Sequence, residues 1–111
     1  MAMVRSYDVD VALEYGVEVA ILLNYLYTMT YYCPDARKEK SDNKLWLTIN
    51  QDELVLVFLE IPPMDVLLAL QALIECGLVE SVRSERDGVE RMRLALTESG
   101  KRLVEREVRK R

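Results

Sequence analysis

The feature that most restricts the fold of this chain is a helix followed directly by a β-hairpin, over residues 62–96. Pro63 can open the helix, since proline at the first helical position lacks only an N–H that would have no partner there. Gly77 ends the helix, as glycine does at many helix C-termini. The dipeptide Asp87-Gly88 is typical of the tight turn of a hairpin. The predicted elements are therefore a helix over 63–76 and strands over 78–84 and 89–96.

Two helices are predicted near the N-terminus, on either side of Gly16. The first covers 9–15 and can be capped by Asp8, because an Asp side chain accepts hydrogen bonds from the first helical N–H groups. The second covers 17–32 and is apolar on most sides, which is typical of a helix that is central to the core or shared with a partner. In the first helix, the side chains expected to face inward are Val9, Ala12 and Leu13.

The segment between residues 34 and 60 is less regular. Residues 34–44 are polar and charged, which predicts a surface loop, and residues 45–48 are typical of a short strand. The β-branched content of 53–60 allows a strand, but a cap followed by acidic residues favours a helix over a strand. The caps in question are Thr48 or Asn50, and the acids are Asp52 and Glu53.

A last helix over 97–111, capped by Thr97 and running through Gly100, completes the chain. The length of 111 residues indicates one domain. Two helices joined by a short turn and followed by a hairpin make up the winged helix-turn-helix plan. We therefore expect a mostly helical α+β domain over 1–111. Its parts are N-terminal helices (8–33), a loop (34–44), a winged helix-turn-helix core (45–96) with a C-terminal β-hairpin wing, and a C-terminal helix (97–111).

Several stretches of sequence strengthen this interpretation. Residues 66–80 contain the pattern in which a helix ends in Leu-x-x-x-Gly-Leu-Val, and residues 94–104 contain Leu-Thr-x-x-Gly. Both resemble small bacterial and archaeal winged-helix regulators. Residues 10–26, followed by a polar loop and Trp46, are similar to the N-terminal winged-helix domain of phage replication initiators (replisome organisers). The resemblance implies a transcription regulator or replication module that binds DNA, in which the second helix of the pair enters the major groove.

The charge distribution favours a DNA contact at the C-terminal part of the chain. Residues 1–80 hold 5 basic and 13 acidic residues, whereas residues 81–111 hold 10 basic and 6 acidic ones. Arg91 and Arg93 lie two residues apart on one strand and should point the same way. Acidic residues interleaved with the basic ones leave an ordinary solvated surface as the alternative. The predicted DNA-binding residues are Gln71, Arg83, Arg86, Arg91, Arg93, Lys101 and Arg102.

The helix over 63–76 opposes that interpretation, because its outward side chains include no Lys or Arg and are largely apolar. An exposed apolar face more often marks a protein contact. The alternative function is therefore a winged helix that binds protein, as a dimeric adaptor or a phage-type inhibitor of a host machine. A shift of the helical register, which would make the same leucines part of the core, is the third possibility. The predicted interface residues are Met64, Leu67, Leu68 and Ile74, with Tyr25 and Tyr32.

An enzyme is not expected, since the chain has no histidine, no glycine-rich phosphate loop and no CxxC pair. Cys33 and Cys76 are 43 residues apart, so their spacing is not that of a metal site. We predict no metal and no cofactor. Residues 1–10 lack the apolar core of a signal peptide and no apolar stretch has the length of a membrane span, so we expect a cytoplasmic protein. The apolar 17–32 helix or the last helix favours a homodimer.

Overall fold

A computed structural model of the protein describes residues 9–34, 36, 38–41, 43–58, 60–86 and 88–109. The expected α+β class is confirmed, and the predicted helices and strands are present. Residue 8, predicted as a cap, and residues 110–111 of the last helix lie outside the described residues. The elements are α1 (Val9–Tyr15), α2 (Val17–Tyr31), β1 (Lys38–Ser41), β2 (Lys44–Ile49), α3 (Gln51–Val57), α4 (Pro63–Glu75), β3 (Val79–Arg86), β4 (Val89–Leu96) and α5 (Glu98–Arg109).

The described strands form one antiparallel sheet in the order β1-β2-β4-β3. Its centre is set by the pairs Leu47↔Leu94 and Ile49↔Met92 between β2 and β4. All four side chains are buried in the main core, so this face of the sheet packs against the helices. Because side chains alternate along a strand, the residues between them lie on the opposite face.

α2 is the central helix, which is one of the two alternatives that its apolar composition leaves open. It contacts α1, α4, α5 and β2. Its side chains with little exposed surface are Val19, Ala20, Leu22, Leu23, Leu26, Tyr27 and Thr30. Among the residues that the structure describes, no helix is long and apolar enough to cross a membrane.

The prediction that Leu13 faces inward is wrong, because its side chain is 82% exposed. Val11 is buried in its place and Ala12 is half-buried. Residues two positions apart in an α-helix are about 200° apart around the helix axis, so burial of Val11 directs Leu13 away from the core. The side chain of Val9 lies outside what the structure describes.

The prediction of a loop over 34–44 is also corrected, because β1 lies within it. β1 pairs with β2 from Lys38↔Leu47 to Ser41↔Lys44, and Asn43, with a φ of 61°, forms the left-handed turn position. The sequence of β1 is polar because it is an edge strand, and charged residues on an edge disfavour pairing with other chains. The indole N–H of Trp46 donates to the carbonyl oxygen of Ser41 at 3.2 Å.

The ambiguous segment after β2 is a helix up to Val57. The side-chain oxygen of Asn50 accepts a hydrogen bond from the backbone N–H of Asp52 at 2.8 Å, which identifies Asn50 as the cap. Leu54 and Phe58 are four residues apart and are both buried in the core. The cap and this helical spacing of buried residues account for a helix in spite of the β-branched composition.

The end of α4 and the start of α5 meet at one junction. Gly77, with a φ of 73°, ends α4, and the N–H of Leu78 donates to the Leu73 carbonyl at 3.0 Å, as in a Schellman motif. The hydroxyl of Thr97 donates to the Gly77 carbonyl at 2.7 Å and accepts from the N–H of Gly100 at 3.1 Å. One threonine side chain therefore caps α5 and links it to the end of α4.

Candidate interaction surfaces

The outward face of α4 is exposed and apolar, as its sequence predicts. Met64 is 64% exposed, Leu68 56% and Ile74 38%. The opposite face is buried through Val66, Ala69, Leu70 and Leu73. The alternative in which a shifted register places these side chains in the core is therefore wrong for Met64, Leu68 and Ile74, whereas Leu67 is half-buried.

An open groove of about 300 Å³ lies between α2 and α4, beside Leu68. Val19 and Ala69 form its apolar base, and Glu18 and Asp65 supply acidic groups from the two helices. The surface is therefore apolar in the middle and acidic at its borders. Sequence reasoning identified Leu68 but not Glu18, because no local pattern links positions 50 residues apart.

Electrostatics make this face a poor contact for nucleic acid. Residues 45–82 contain no Lys or Arg, so α3 and α4 have no cation to offer to a phosphate. Gln71, the predicted base-reading residue, donates from its side-chain nitrogen to Glu75 Oε1 at 3.0 Å. Its amide is thus engaged with a carboxylate on the surface that would have to approach the phosphates.

The arginines of the β3-β4 hairpin have different surroundings. Arg91 and Arg93 lie on one face of β4, as predicted, and Arg91 is exposed. A nitrogen of the Arg93 guanidinium lies 3.6 Å from Glu39 Oε2, and its central carbon lies 6.0 Å from the ring centre of Trp46. Arg93 therefore already contributes to the packing of the sheet. Arg83 is exposed and pairs with Met92, which places it on the other face of the hairpin; the side chain of Arg86 lies outside the described part.

The start of α5 packs against an aromatic cluster at the end of α2. The Lys101 ammonium lies 5.2 Å from the ring centre of Tyr31, and 4.0 Å from Glu105 Oε1. The Tyr27 ring lies 5.0 Å from that of Tyr31 and 5.8 Å from that of Tyr32. The Tyr27 hydroxyl donates to Glu105 Oε1 at 3.4 Å. This cluster contains Lys101, a predicted DNA-binding residue, and Tyr32, a predicted interface residue.

The hydroxyl of Tyr27 is held in its neutral form. Burial is the main cause of a raised pKa for this group, and a hydrogen bond with Tyr32 and the nearby Glu105 carboxylate raise it further. A tyrosine that stays protonated keeps the donor that links α2 to α5.

Of the other predicted residues, Arg102 and Tyr32 are exposed, whereas Tyr25 packs within the fold. Arg102 on α5 is exposed, and so is Arg106, one turn further on. Tyr32 is 69% exposed. Tyr25, in contrast, is half-buried and packs edge to face on Phe58, with ring centres 5.0 Å apart, so the fold itself uses this side chain.

The structure divides the predicted DNA-binding residues between two places. Arg91 lies near the hairpin turn, whereas α5 begins beyond the other end of β4. Leu96 lies five positions after Arg91 on the strand, or about 17 Å away at the usual rise. At their nearest positions in sequence, the basic residues of the hairpin and those of α5 therefore do not form one continuous patch.

Cys33 is half-buried and Cys76 exposed, and both are free thiols. Within the described ranges, no group of three or more His, Cys, Asp or Glu side chains is arranged to hold a metal ion. Comparisons of the chain with protein-family models, curated proteins and solved structures give no match.

Proposed function

We propose that the chain is a non-enzymatic winged-helix protein that binds another protein through the outward face of α4. Support for a winged helix comes from the element order α2-β1-β2-α3-α4-β3-β4, in which β1 is an added edge strand, and from the position of β4 between β2 and β3. In that plan α4 takes the place of the recognition helix. The observation that carries the function is the exposure of Met64 and Leu68 on this helix.

Exposed apolar side chains at these positions fit a protein interface. Fully burying an exposed Met or Leu side chain contributes about 1.5–3 kcal/mol, and because Met64 is 64% exposed and Leu68 56%, docking of a partner would gain roughly half of that for each. The two residues are four apart and therefore lie one above the other on the helix. A polar DNA groove offers no comparable environment, and the acidic border would repel phosphate.

The charges at the border indicate the chemistry of the partner. Glu18 and Asp65 lie beside Leu68, and Glu75 lies further along α4. Complementary potentials across an interface favour correct partners and raise association rates. The partner is therefore a protein that presents an apolar anchor flanked by Lys or Arg, and an amphipathic basic helix is the segment that suits a groove between two helices.

A displayed library of helical peptides, varied in both apolar and charged positions, tests this function. Selected binders are expected to have net positive charge, and the Leu68→Asp variant is expected to bind them at least about tenfold more weakly. The control is Leu13→Asp, which introduces the same charge at a more exposed leucine on α1. It should leave the affinity unchanged.

Two results would contradict the proposal. One is binding that is insensitive to Leu68→Asp while the variant stays folded. The other is a concentration-dependent dimer, seen by light scattering, that Leu68→Asp dissociates, because a second copy of the chain would then occupy this face.

A second candidate function is the binding of duplex DNA through the wing and α5. It is favoured by the exposure of Arg91, Arg102 and Arg106 in a C-terminal part with a basic excess. Phosphate contacts need exposed cations and do not need α4. The two functions are compatible, because they use different surfaces.

The Arg91→Glu/Arg102→Glu double variant is expected to abolish salt-sensitive DNA binding, measured by gel shift at two salt concentrations. Arg93 is left unchanged, because its replacement would also break the contacts with Glu39 and Trp46. Lys40→Glu, on exposed β1, is the control for charge reversal. Absence of binding by the unaltered protein at low salt would exclude this candidate.

A further inference from the structure

The aromatic cluster at the end of α2 has one open side. Tyr27 is buried and holds the rings of Tyr31 and Tyr32 by direct contact. Tyr31 is 38% exposed and Tyr32 is 69% exposed. A buried tyrosine thus supports two exposed ones, which restricts the motion of rings that face solvent.

A cation of α5 lies next to one of these rings. The Lys101 ammonium lies 5.2 Å from the ring centre of Tyr31. Arg102 follows it and is exposed. Glu105 is the nearby acid, and it accepts from the buried Tyr27 hydroxyl while it lies 4.0 Å from Lys101. Exposed tyrosines, with a lysine beside one ring and an exposed arginine at the next position of α5, supply the two components by which proteins bind single-stranded nucleic acid: aromatic rings and cations.

We propose that Tyr31 and Tyr32 form a stacking platform for the unpaired bases of single-stranded nucleic acid, with Lys101 and Arg102 as phosphate contacts. Bases inside a duplex are already stacked on each other, so only unpaired bases can use an exposed ring face. An acidic peptide would satisfy the cations but would leave the tyrosine rings unused. The site lies at the contact of α2 with α5, and it involves neither the outward face of α4 nor the wing.

This inference rests on the second candidate function only in its choice of nucleic acid as the ligand. It concerns unpaired bases stacked on Tyr31 and Tyr32, whereas the duplex contact uses Arg91 of the wing. Arg102 is a phosphate contact in both, so the variant that separates them changes a tyrosine. A variant of the platform therefore separates the two, because it should weaken the binding of a single strand and leave the binding of a duplex unchanged.

The test measures the fluorescence anisotropy of a labelled short oligothymidine with the full chain. Tyr32→Leu, which keeps apolar bulk but removes the aromatic ring, is expected to weaken binding about tenfold, as loss of one stacked base does. Tyr32→Phe keeps the ring and should retain the affinity within about twofold. Lys101→Ala should weaken binding, whereas Lys40→Ala, which removes an exposed lysine of β1, should not.

Further probes decide what the site recognises. An abasic strand of equal length should bind about tenfold more weakly than oligothymidine, because its phosphates remain but its bases do not. Equal affinity for the two strands, or equal affinity of Tyr32→Leu and the unaltered protein, would overturn the platform. Binding of an acidic peptide in preference to oligothymidine would also overturn it. If duplex binding fails while Tyr32-dependent binding of oligothymidine persists, the duplex function is wrong and the platform stands.

Discussion

Replacement of Gly100 by alanine is expected to destabilise the protein by about 3 kcal/mol, although alanine is the better helix former. A Cβ atom added at this position would lie 2.1 Å from the carbonyl oxygen of Leu78 and 3.0 Å from its carbonyl carbon. Both are backbone atoms and cannot rotate away as a side chain can. α5 must therefore move away from the start of β3, which breaks the packing at the junction.

Urea denaturation of Gly100→Ala and of Ser99→Ala measures this effect. Ser99 is exposed and neighbours Gly100 in α5, so its replacement should change the free energy of unfolding by less than about 0.5 kcal/mol. At an ordinary helical position the change from glycine to alanine would stabilise by about 0.5–1 kcal/mol. The sign of the change at Gly100 is thus the critical result, and a stabilised variant would mean that α5 does not lie against Leu78.

The same junction contains the two C-terminal motifs in which the sequence resembles winged-helix regulators. The two C-terminal motifs, one ending at Gly77-Leu78 and the other containing Thr97 and Gly100, touch each other in the structure. Thr97 and Gly100 are needed there because of backbone geometry. Motifs of this kind report how a helix, a hairpin and a second helix are joined. They carry little information about what the exposed surfaces bind.

Elements with local signals are the ones that could be predicted from the sequence. Pro63 and Gly77 bound α4 to within one residue, and Gly88 lies at the hairpin turn. Asn50 and the acids after it favoured the helix that the structure has at α3. Each of these signals acts through a backbone preference or a hydrogen bond within a few residues, and distant parts of the chain do not alter it.

Features that depend on distant partners could not be predicted. The apolar outward face of α4 is not such a feature, because it follows from the periodicity of the helix itself, and the exposure of Leu68 confirms it. The engagement of Arg93 with Glu39 depends on two strands far apart in the sequence. The contact of Lys101 with Tyr31 likewise depends on the packing of α5 against α2. The sequence therefore predicts which residue types lie on a given face of a helix or strand. It does not predict which side chains of other elements contact them.

Trp46 accounts for the strand that the sequence did not predict. Its neighbours Leu47 and Leu94 face the helices, so Trp46 lies on the other face of the sheet, where it is nevertheless only 7% exposed. Its Cα partner in β1 is Glu39, and its indole N–H donates to Ser41. The Lys44 ammonium and the Arg93 guanidinium each lie 6.0 Å from its ring centre. A large apolar ring thus gives the polar strand β1 a surface on which to pack.

Trp46→Ala is therefore expected to lower the free energy of unfolding by about 3 kcal/mol, within the range for removal of a buried aromatic side chain. Hydrogen exchange should show that the amide protection of β1 is lost, because the ring and the bond to Ser41 both hold this edge strand. The ion pairs of Lys44 with Glu80 and of Arg93 with Glu39 are partly exposed, so they contribute too little to compensate for loss of the Trp46 ring.

Two further variants make the result interpretable. Val82→Ala removes an exposed apolar group from the same face of the sheet and should cost less than about 0.5 kcal/mol. Trp46→Phe removes the indole N–H but keeps an aromatic ring, so its cost should lie between those of the two alanine variants. If Trp46→Ala were no more costly than Val82→Ala, the ring would be open to solvent, and β1 would need another reason to join a sheet that its own sequence does not predict.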